Sequence, residues 1–264
     1  MRKPFEKVML SREMRRAKPK DFINYLFKDV LYMKGDRLFG EDGSILGGIG
    51  SFEGRPITFI SNHKGHDLKE NIEANFGMSN PEGYRKAQRM MLQAEKFGRP
   101  VITFVDTPGA YPGLGAEERG QGEAIARAIM TMEKIQVPTI TFVTGEGGSG
   151  GALALSMGNK IYMLENAVYS ILSPEGFSSI LWKDKSQAER ASEVMKLTAE
   201  DLRDFGIVDE IIPEDEAFIE GSFNGVFELV KAKLREALTE LDSLDKQTIV
   251  ERRCERFRNI GRRY

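Results

Sequence analysis

The segment Gly145-Glu146-Gly147-Gly148-Ser149-Gly150-Gly151 places five glycines in seven residues, between an apolar run at 137–143 and a small-residue stretch at 152–157. Backbone N–H groups left bare at a strand–helix junction hold an oxyanion or a phosphate, because the unpaired donors and the helix dipole both favour negative charge. A second loop, Thr107-Pro108-Gly109-Ala110-Tyr111-Pro112-Gly113, follows the apolar run 101–105. In an open α/β sheet both loops lie at the carboxyl ends of strands, where ligands bind. Glycines at such a junction also serve close packing alone. Five of them carry a backbone-entropy cost that a plain turn does not require. The residues point to an oxyanion or phosphate-like group held by backbone amides and leave the substrate open.

More specific motifs fit less well. Gly145-x-Gly147-x-x-Gly150 has the dinucleotide spacing, but the acidic residue that should follow is marginally placed at Glu165, and this is not the first strand–helix unit of the chain. Gly147-Gly148-Ser149-Gly150-Gly151 has the pattern of a nucleophile elbow in a strand-then-helix context. Elbow hydrolases place their histidine after the serine, whereas His63 and His66 both precede it; a non-standard triad using one of them stays open. A P-loop is excluded, since no Lys-Ser/Thr follows the glycines. One cysteine, Cys254, excludes a disulfide framework and a multi-cysteine metal site, and two histidines exclude most histidine-rich metal chemistry.

The elements that position these loops are read from periodicity. Residues 21–33 read as a helix. Residues 39–60 read as short strands, 45–50 and 57–60, joined through Glu53-Gly54-Arg55-Pro56. Asn80-Pro81 starts a helix whose apolar residues Ala87, Met90, Met91, Ala94 and Phe97 keep a 3.6 period, with Gly98 and Pro100 closing it. Strand 101–105 runs into a glycine-rich loop as far as Gly122, then a helix at 123–134 turns Ile125, Ala128, Ile129 and Met132 inward. Strand 137–143, the glycine segment and a helix at 152–157 follow. Strands at 160–164 and 167–172, short helices to Phe205, a strand at 207–212 and a charged helical tail from Phe227 complete the pattern. Continuous apolar strands alternating with helices mark a parallel or mixed sheet covered on both faces. The organisation expected is a basic helical segment at 1–35, a core at 36–226 and a charged helical segment at 227–264.

With 264 residues the chain is long enough to bury a full core, and its net charge of −2 hides a split. Residues 1–20 carry eight Lys/Arg against two Glu, and residues 231–264 carry ten Lys/Arg against six acids, so the stretch between is strongly acidic. Solvated helical ends, ends that meet an acidic partner or a phosphate-bearing ligand, and nucleic-acid binding are the competing readings. The last is disfavoured, because no aromatic stripe accompanies the arginines and the acidic body repels a phosphate backbone. No apolar run is long enough to span a membrane and no secretory signal is recognisable, so a cytoplasmic location is expected.

Longer stretches carry a resemblance. Gly47-Gly48-Ile49, His63-Lys64-Gly65, Lys69-Glu70-Asn71-Ile72, Asn75-Phe76-Gly77-Met78, Pro81-Glu82-Gly83-Tyr84-Arg85-Lys86-Ala87, residues 106–122, residues 145–155, Ser173-Pro174-Glu175-Gly176, Ile180-Leu181-Trp182-Lys183-Asp184 and Glu210-Ile211-Ile212-Pro213-Glu214 together resemble the carboxyltransferase alpha subunit of the multi-subunit acetyl-CoA carboxylase of bacteria and plastids. The matched region spans residues 20–214. The resemblance implies an α/β crotonase-like fold (the ClpP/crotonase class), a twisted sheet superhelix flanked by helices. It implies a carboxyltransferase beta subunit as partner in an alpha2beta2 heterotetramer, with zinc expected only on beta. It further implies carboxybiotin presented by a separate biotin carboxyl carrier protein, biotin carboxylase in the ATP-dependent holoenzyme, and transfer of the carboxyl group to acetyl-CoA to give malonyl-CoA for fatty acid synthesis. No covalently bound cofactor, no metal, no membrane and no nucleic acid are expected of this chain.

Site residues follow from the same resemblance. Gly147 and Gly148 are the backbone oxyanion hole for biotin. Thr107, Pro108, Gly109, Ala110, Tyr111, Gly150, Gly151 and Lys64 are expected to bind substrate, Tyr111 as an apolar wall or as a core aromatic, and Lys64 and His63 as ligand-phosphate contacts or as loop-ordering groups. Ser149 is expected to be structural. Glu117, Glu118 and Arg119 are a salt-linked support for the loop or interface residues. Trp182 is expected to pack a helix and Met157 to join the core. Family members usually have arginine at the position of His66, and many have a longer N-terminal helical extension.

Overall fold

The computed structural model describes residues 2–262. α1 (Pro4–Arg12) and α2 (Pro19–Leu26) lead into β1 (Lys28–Tyr32), the hairpin β2 (Ile45–Phe52) and β3 (Arg55–Asn62), and α3 (Leu68–Glu73). α4 (Pro81–Lys96), β4 (Val101–Thr107), α5 (Leu114–Glu118), α6 (Gln121–Lys134), β5 (Thr139–Gly148) and α7 (Ser149–Leu153) follow. Then come β6 (Lys160–Leu164), β7 (Val168–Ser170), α8 (Pro174–Trp182), α9 (Ala188–Met195), α10 (Ala199–Asp204), β8 (Glu210–Ile212), α11 (Glu216–Ile219), α12 (Asn224–Asp242) and α13 (Lys246–Asn259).

The strands form one sheet in the order β1-β2-β3-β4-β5-β6-β8, with β7 paired to β5 off that path. β1, β2 and β3 are antiparallel, and every later pairing is parallel. All seven residues of β4 are buried, as befits a strand covered on both faces. Glu53 and Gly54 form the two-residue turn of the β2–β3 hairpin, both at positive φ (51° and 84°), the backbone twist that matches flanking strands. α4 begins at Pro81 as its missing N–H allows, and Gly98 in the left-handed region ends its last turn. Phe104, Phe142 and Tyr162 lie opposite one another on β4, β5 and β6 and stack with ring centroids 5.5 and 5.2 Å apart.

Four expectations change. Residues 21–33 are not one helix: Phe27 turns extended (φ −115°, ψ 140°), and 28–32 joins the sheet as β1, where Val30 and Tyr32 suit a strand. The loop expected to reach Gly122 contains α5. The strand expected to end at Val143 continues to Gly148, because β7 supplies a partner for its extension. The helix expected at 152–157 begins instead at Ser149.

The basic ends fold back onto the acidic body, an arrangement outside all three readings of the charge split. Lys7 Nζ reaches Glu200 (2.6 Å) and the Glu165 carbonyl (2.9 Å), and Arg16 forks onto Glu214 at 2.8 and 2.5 Å. At the other end Arg256 pairs with Asp209. Arg253, fully buried, donates to the carbonyls of Met132, Glu133, Ile135 and Val137. It thereby satisfies carbonyls that the end of α6 leaves without helical partners. Burial pushes its guanidinium down to about 10.

Candidate active site

The site is built on an irregularity in the central pair of strands. Val105 pairs with Val143 and Thr107 with Gly147, so the single residue Asp106 on β4 stands opposite three residues, Thr144, Gly145 and Glu146, on β5. Such an excess bends a strand and frees ladder groups. Groups near it find other partners. The Glu146 N–H donates to Asp106 Oδ1 (3.0 Å), the Thr144 carbonyl accepts from Arg16 Nε (3.0 Å), and Thr144 Oγ1 donates to the Val105 carbonyl. Gly145 is required here: a Cβ would stand 2.4 Å from Asp106 Oδ1.

Beyond the bulge β5 changes neighbours. Up to Val143 it pairs with β6, and from Glu146 to Gly148 with β7. β4 ends at Thr107 and β7 at Ser170, so pairing on both sides of β5 runs out at Gly148. The chain then turns through Ser149 at φ 52° into α7, whose first amides have no acceptor within the helix. Gly148 is pinned from below, since a Cβ would stand 2.1 Å from the Pro108 carbonyl oxygen. Gly151 is equally tight, its Cβ position lying 2.7 Å from the Ala110 nitrogen. A Cβ on Gly147 would meet the Tyr169 ring at 2.8 Å.

Gly147 and Gly148 line a cavity of about 60 Å³ together with Arg12, Pro108, Glu146, Ser170 and Pro174. Ser170 also borders a larger, mainly apolar cavity of about 550 Å³ that includes Ser149, Gly150 and Tyr169. Beneath the glycines lies a compact ion cluster. Lys64 Nζ donates to Asp106 Oδ1 (2.7 Å) and Glu146 Oε2 (2.8 Å). Arg12 Nε donates to Glu146 Oε1 (2.8 Å), and Arg12 Nη1 to Glu175 on α8 (2.7 Å). Burial alone would raise the Asp106 carboxyl, but the charges of Lys64 and Lys18 outweigh it and hold the group below its usual range. Burial likewise works against the Lys64 ammonium, and Asp106 and Glu146 overcome it, so its pKa is raised. Burial lowers that of Lys18 nearby.

The expected site residues fall into distinct places. Thr107 ties its own loop, its Oγ1 donating to the Gly109 carbonyl (2.8 Å) and accepting the Gly109 N–H (3.0 Å). Gly109 sits at φ 147°, a value that favours glycine. Pro108, Gly109 and Ala110 form the platform under Gly148 and Gly151. Tyr111 is held through its backbone, N–H to Ser79 and carbonyl from Gln121, and its ring folds over Gly113. Lys64 is engaged by two carboxylates, Asp106 and Glu146, and so supports the strand. Arg119 pairs with Glu82 and stacks on Phe39, supporting the loop. Trp182 packs on Phe177 within α8. His66 bonds Asp21 at 2.8 Å, the buried His63 Nδ1 has no partner, and neither reaches Ser149 with a hydrogen bond, so an elbow triad lacks its base. Sequence reasoning missed Arg12 and Ser170; Arg12 was one cation among eight in a basic stretch, with no local signal to single it out.

Residues 2–261 match the family described as acetyl co-enzyme A carboxylase carboxyltransferase-like. The chain belongs to this family. Among relatives of this carboxyltransferase, the acetyl-coenzyme A carboxylase carboxyl transferase subunit alpha of Carboxydothermus hydrogenoformans is 53% identical over 262 residues, covering 98% of this chain and 80% of the relative. The subunit of the same name from Clostridium botulinum (strain Eklund 17B) is 52% identical over 258 residues, covering 98% and 94%. Solved structures share the fold. A transcarboxylase 12S crystal structure superposes with a TM-score of 0.71 at 17% identity, over 89% of this chain and 44% of that one. A Pseudomonas malonate decarboxylase hetero-tetramer gives 0.66 at 18% identity, over 81% and 86%. The fold shared with these structures is the twisted, mostly parallel sheet flanked by helices described above.

Proposed function

We propose that this carboxyltransferase is the alpha half of an acetyl-CoA carboxylase, moving a carboxyl group from carboxybiotin to acetyl-CoA and producing malonyl-CoA for fatty acid synthesis. The observation that carries the site assignment is the end of β5, where the β4 ladder stops at Gly147, the β7 ladder stops at Gly148, and both glycines line a small cavity. Bound biotin supplies a carboxyl group attached to its ureido ring, and negative charge gathers on the ureido oxygen as that group leaves. The residues fit such a ligand: the cavity admits a small polar group, and the cradle is glycine where any Cβ would meet Pro108 or Tyr169. Gly147 and Gly148 are assigned as donors to that oxygen. Backbone amides of this kind act without titrating, and loss of one preorganised donor costs about 3–4 kcal/mol of transition-state stabilisation. Pro108 and Gly109, tied by Thr107, hold Gly148 from below, Ala110 lies against Gly151, and Ser149 makes the turn. No side chain here needs to act as a nucleophile.

Biotin-dependent chemistry in a multi-subunit enzyme follows from the family. The finer reading is that a beta subunit carrying the zinc site binds acetyl-CoA and completes an alpha2beta2 heterotetramer. A separate biotin carboxyl carrier protein, loaded by biotin carboxylase, delivers the carboxyl group. The name "subunit alpha" among the relatives and the hetero-tetrameric malonate decarboxylase support that arrangement. A cytoplasmic location accords with it, and among the described residues no helix is long and apolar enough to cross a membrane. Co-purification with the beta subunit, followed by malonyl-CoA-dependent carboxylation of biotin, tests the function. An intact complex without turnover rejects it.

A further inference from the structure

From the geometry around β5 we infer that Arg12 of α1 is a positioning residue for carboxyl transfer, locking the Glu146–Gly147 segment in place through a chain that runs from Glu175 on α8 to Asp106 on β4. This rests on the carboxyltransferase reading above. Arg12 is the lining residue of the glycine cavity that comes from outside the sheet and also contacts both walls. Its Nε meets Glu146 Oε1 at 2.8 Å, and its Nη1 and Nη2 meet Glu175 Oε1 and Oε2 at 2.7 and 3.3 Å. The second oxygen of Glu146 is taken by Lys64, which also holds Asp106, and Asp106 in turn accepts the Glu146 backbone N–H. Glu146 is thus clamped at both ends of its side chain and at its own amide, one residue before Gly147.

Two consequences follow for the site. The bulge leaves this segment without the regular β4 ladder, so its orientation is set by pairing with β7 on one side and by these bonds on the other. The Glu146 carboxylate also borders the cavity in which negative charge is to develop, and Arg12 and Lys64 offset it on either side. α1 is therefore a working part of the catalytic unit. Its Val8 and Arg12 close one wall of the cavity, and Lys7 anchors the helix to Glu200. Arginine suits the task because its planar fork serves two carboxylates at once, whereas lysine presents a single point charge.

The test uses the full chain assembled with its beta subunit and follows malonyl-CoA-dependent carboxylation of biotin. Arg12→Met is expected to lower kcat by about 10²-fold, the scale of a small misplacement of a catalytic group, with KM for malonyl-CoA unchanged. Arg12→Lys is expected to recover about a tenth of wild-type kcat. Arg12→Ala is expected to regain turnover on addition of guanidinium ion at a non-denaturing concentration, which a merely structural loss would not do. If Arg12→Met fails to assemble, Arg12→Lys and the milder Glu175→Gln decide the matter by the same split of kcat from KM. The inference is overturned if kcat in the assembled variants stays within about twofold of wild type, or if KM alone changes. Absence of turnover in the wild-type complex rejects the carboxyltransferase reading and the positioning role with it. Normal wild-type turnover with an indifferent Arg12 rejects the second alone.

Discussion

The two halves of β5 belong to one strand and are built on different physics. Thr139–Val143 is buried between β4 and β6, and Phe142 is stacked between Phe104 and Tyr162. Its geometry is fixed by regular ladders and apolar packing. Gly145–Gly148 has shed its side chains except Glu146, exchanges β6 for β7, and is held by Arg12, Lys64 and Asp106. Close packing gives the first half stability. In the second half, ion pairs and hydrogen bonds hold a bare backbone in an irregular course.

The comparison is broken most severely at Gly148. Gly148→Val puts side-chain carbon where the Pro108 carbonyl lies, and backbone cannot give way cheaply. Carboxyl transfer by the assembled complex is expected to fall by about 10³-fold or more. The control Gly147→Ala, whose Cβ meets the Tyr169 side chain and not backbone, is expected to lose less. Asp106→Asn leaves Lys64 buried beside one carboxylate, and breaking such a buried pair costs about 3–5 kcal/mol of folding stability, read by urea unfolding at neutral pH. The sign of the pH effect is set by the lowered Asp106 pKa. Its stabilising contribution is fully present above the unfolded value of about 3.9 and is lost as pH falls through the folded one. The stability gap between wild type and Asp106→Asn should therefore shrink below that range.

Phe142→Ala sharpens the comparison from the other side. Loss of a buried aromatic costs about 3–5 kcal/mol, so unfolding should shift by a similar amount to Asp106→Asn, while kcat of the surviving complex stays within about twofold. Equal loss of turnover from both variants would erase the distinction between the halves. The smallest effect is expected at Ser149, whose side chain makes no hydrogen bond among the described residues. Ser149→Ala should leave kcat within about threefold, and Ser149→Gly should raise stability slightly by relieving its positive φ.

Much of the frame was legible in the sequence. Strand 160–164, the 81–96 helix and the Glu53-Gly54 turn announced themselves through continuous apolar runs, a 3.6 period and turn chemistry. The extension of β5 did not, because glycines carry no periodicity and only pairing with β7, some twenty residues later in the chain, makes them a strand. β1 was hidden for the same reason: 21–33 alternates too little to show where α2 stops. The glycines of the site were visible as a composition anomaly, but their supports were not. Lys64, Asp106 and Arg12 are far apart in sequence, and ion pairs across such separations leave no local mark. Lys64 could accordingly be read as a ligand contact or a loop-ordering group, and its ion pairs with Asp106 and Glu146 became visible only in the structure.

β7 contributes only three ladder positions to the far half of β5. Short peripheral pairings open at lower free energy than the interior of a sheet. Amide protons at Gly147 and Gly148 should therefore exchange with deuterated solvent well before those at Ile140–Val143, although the two sets are neighbours on one strand. Opening of that short pairing would leave the ladder of the buried half of β5 closed.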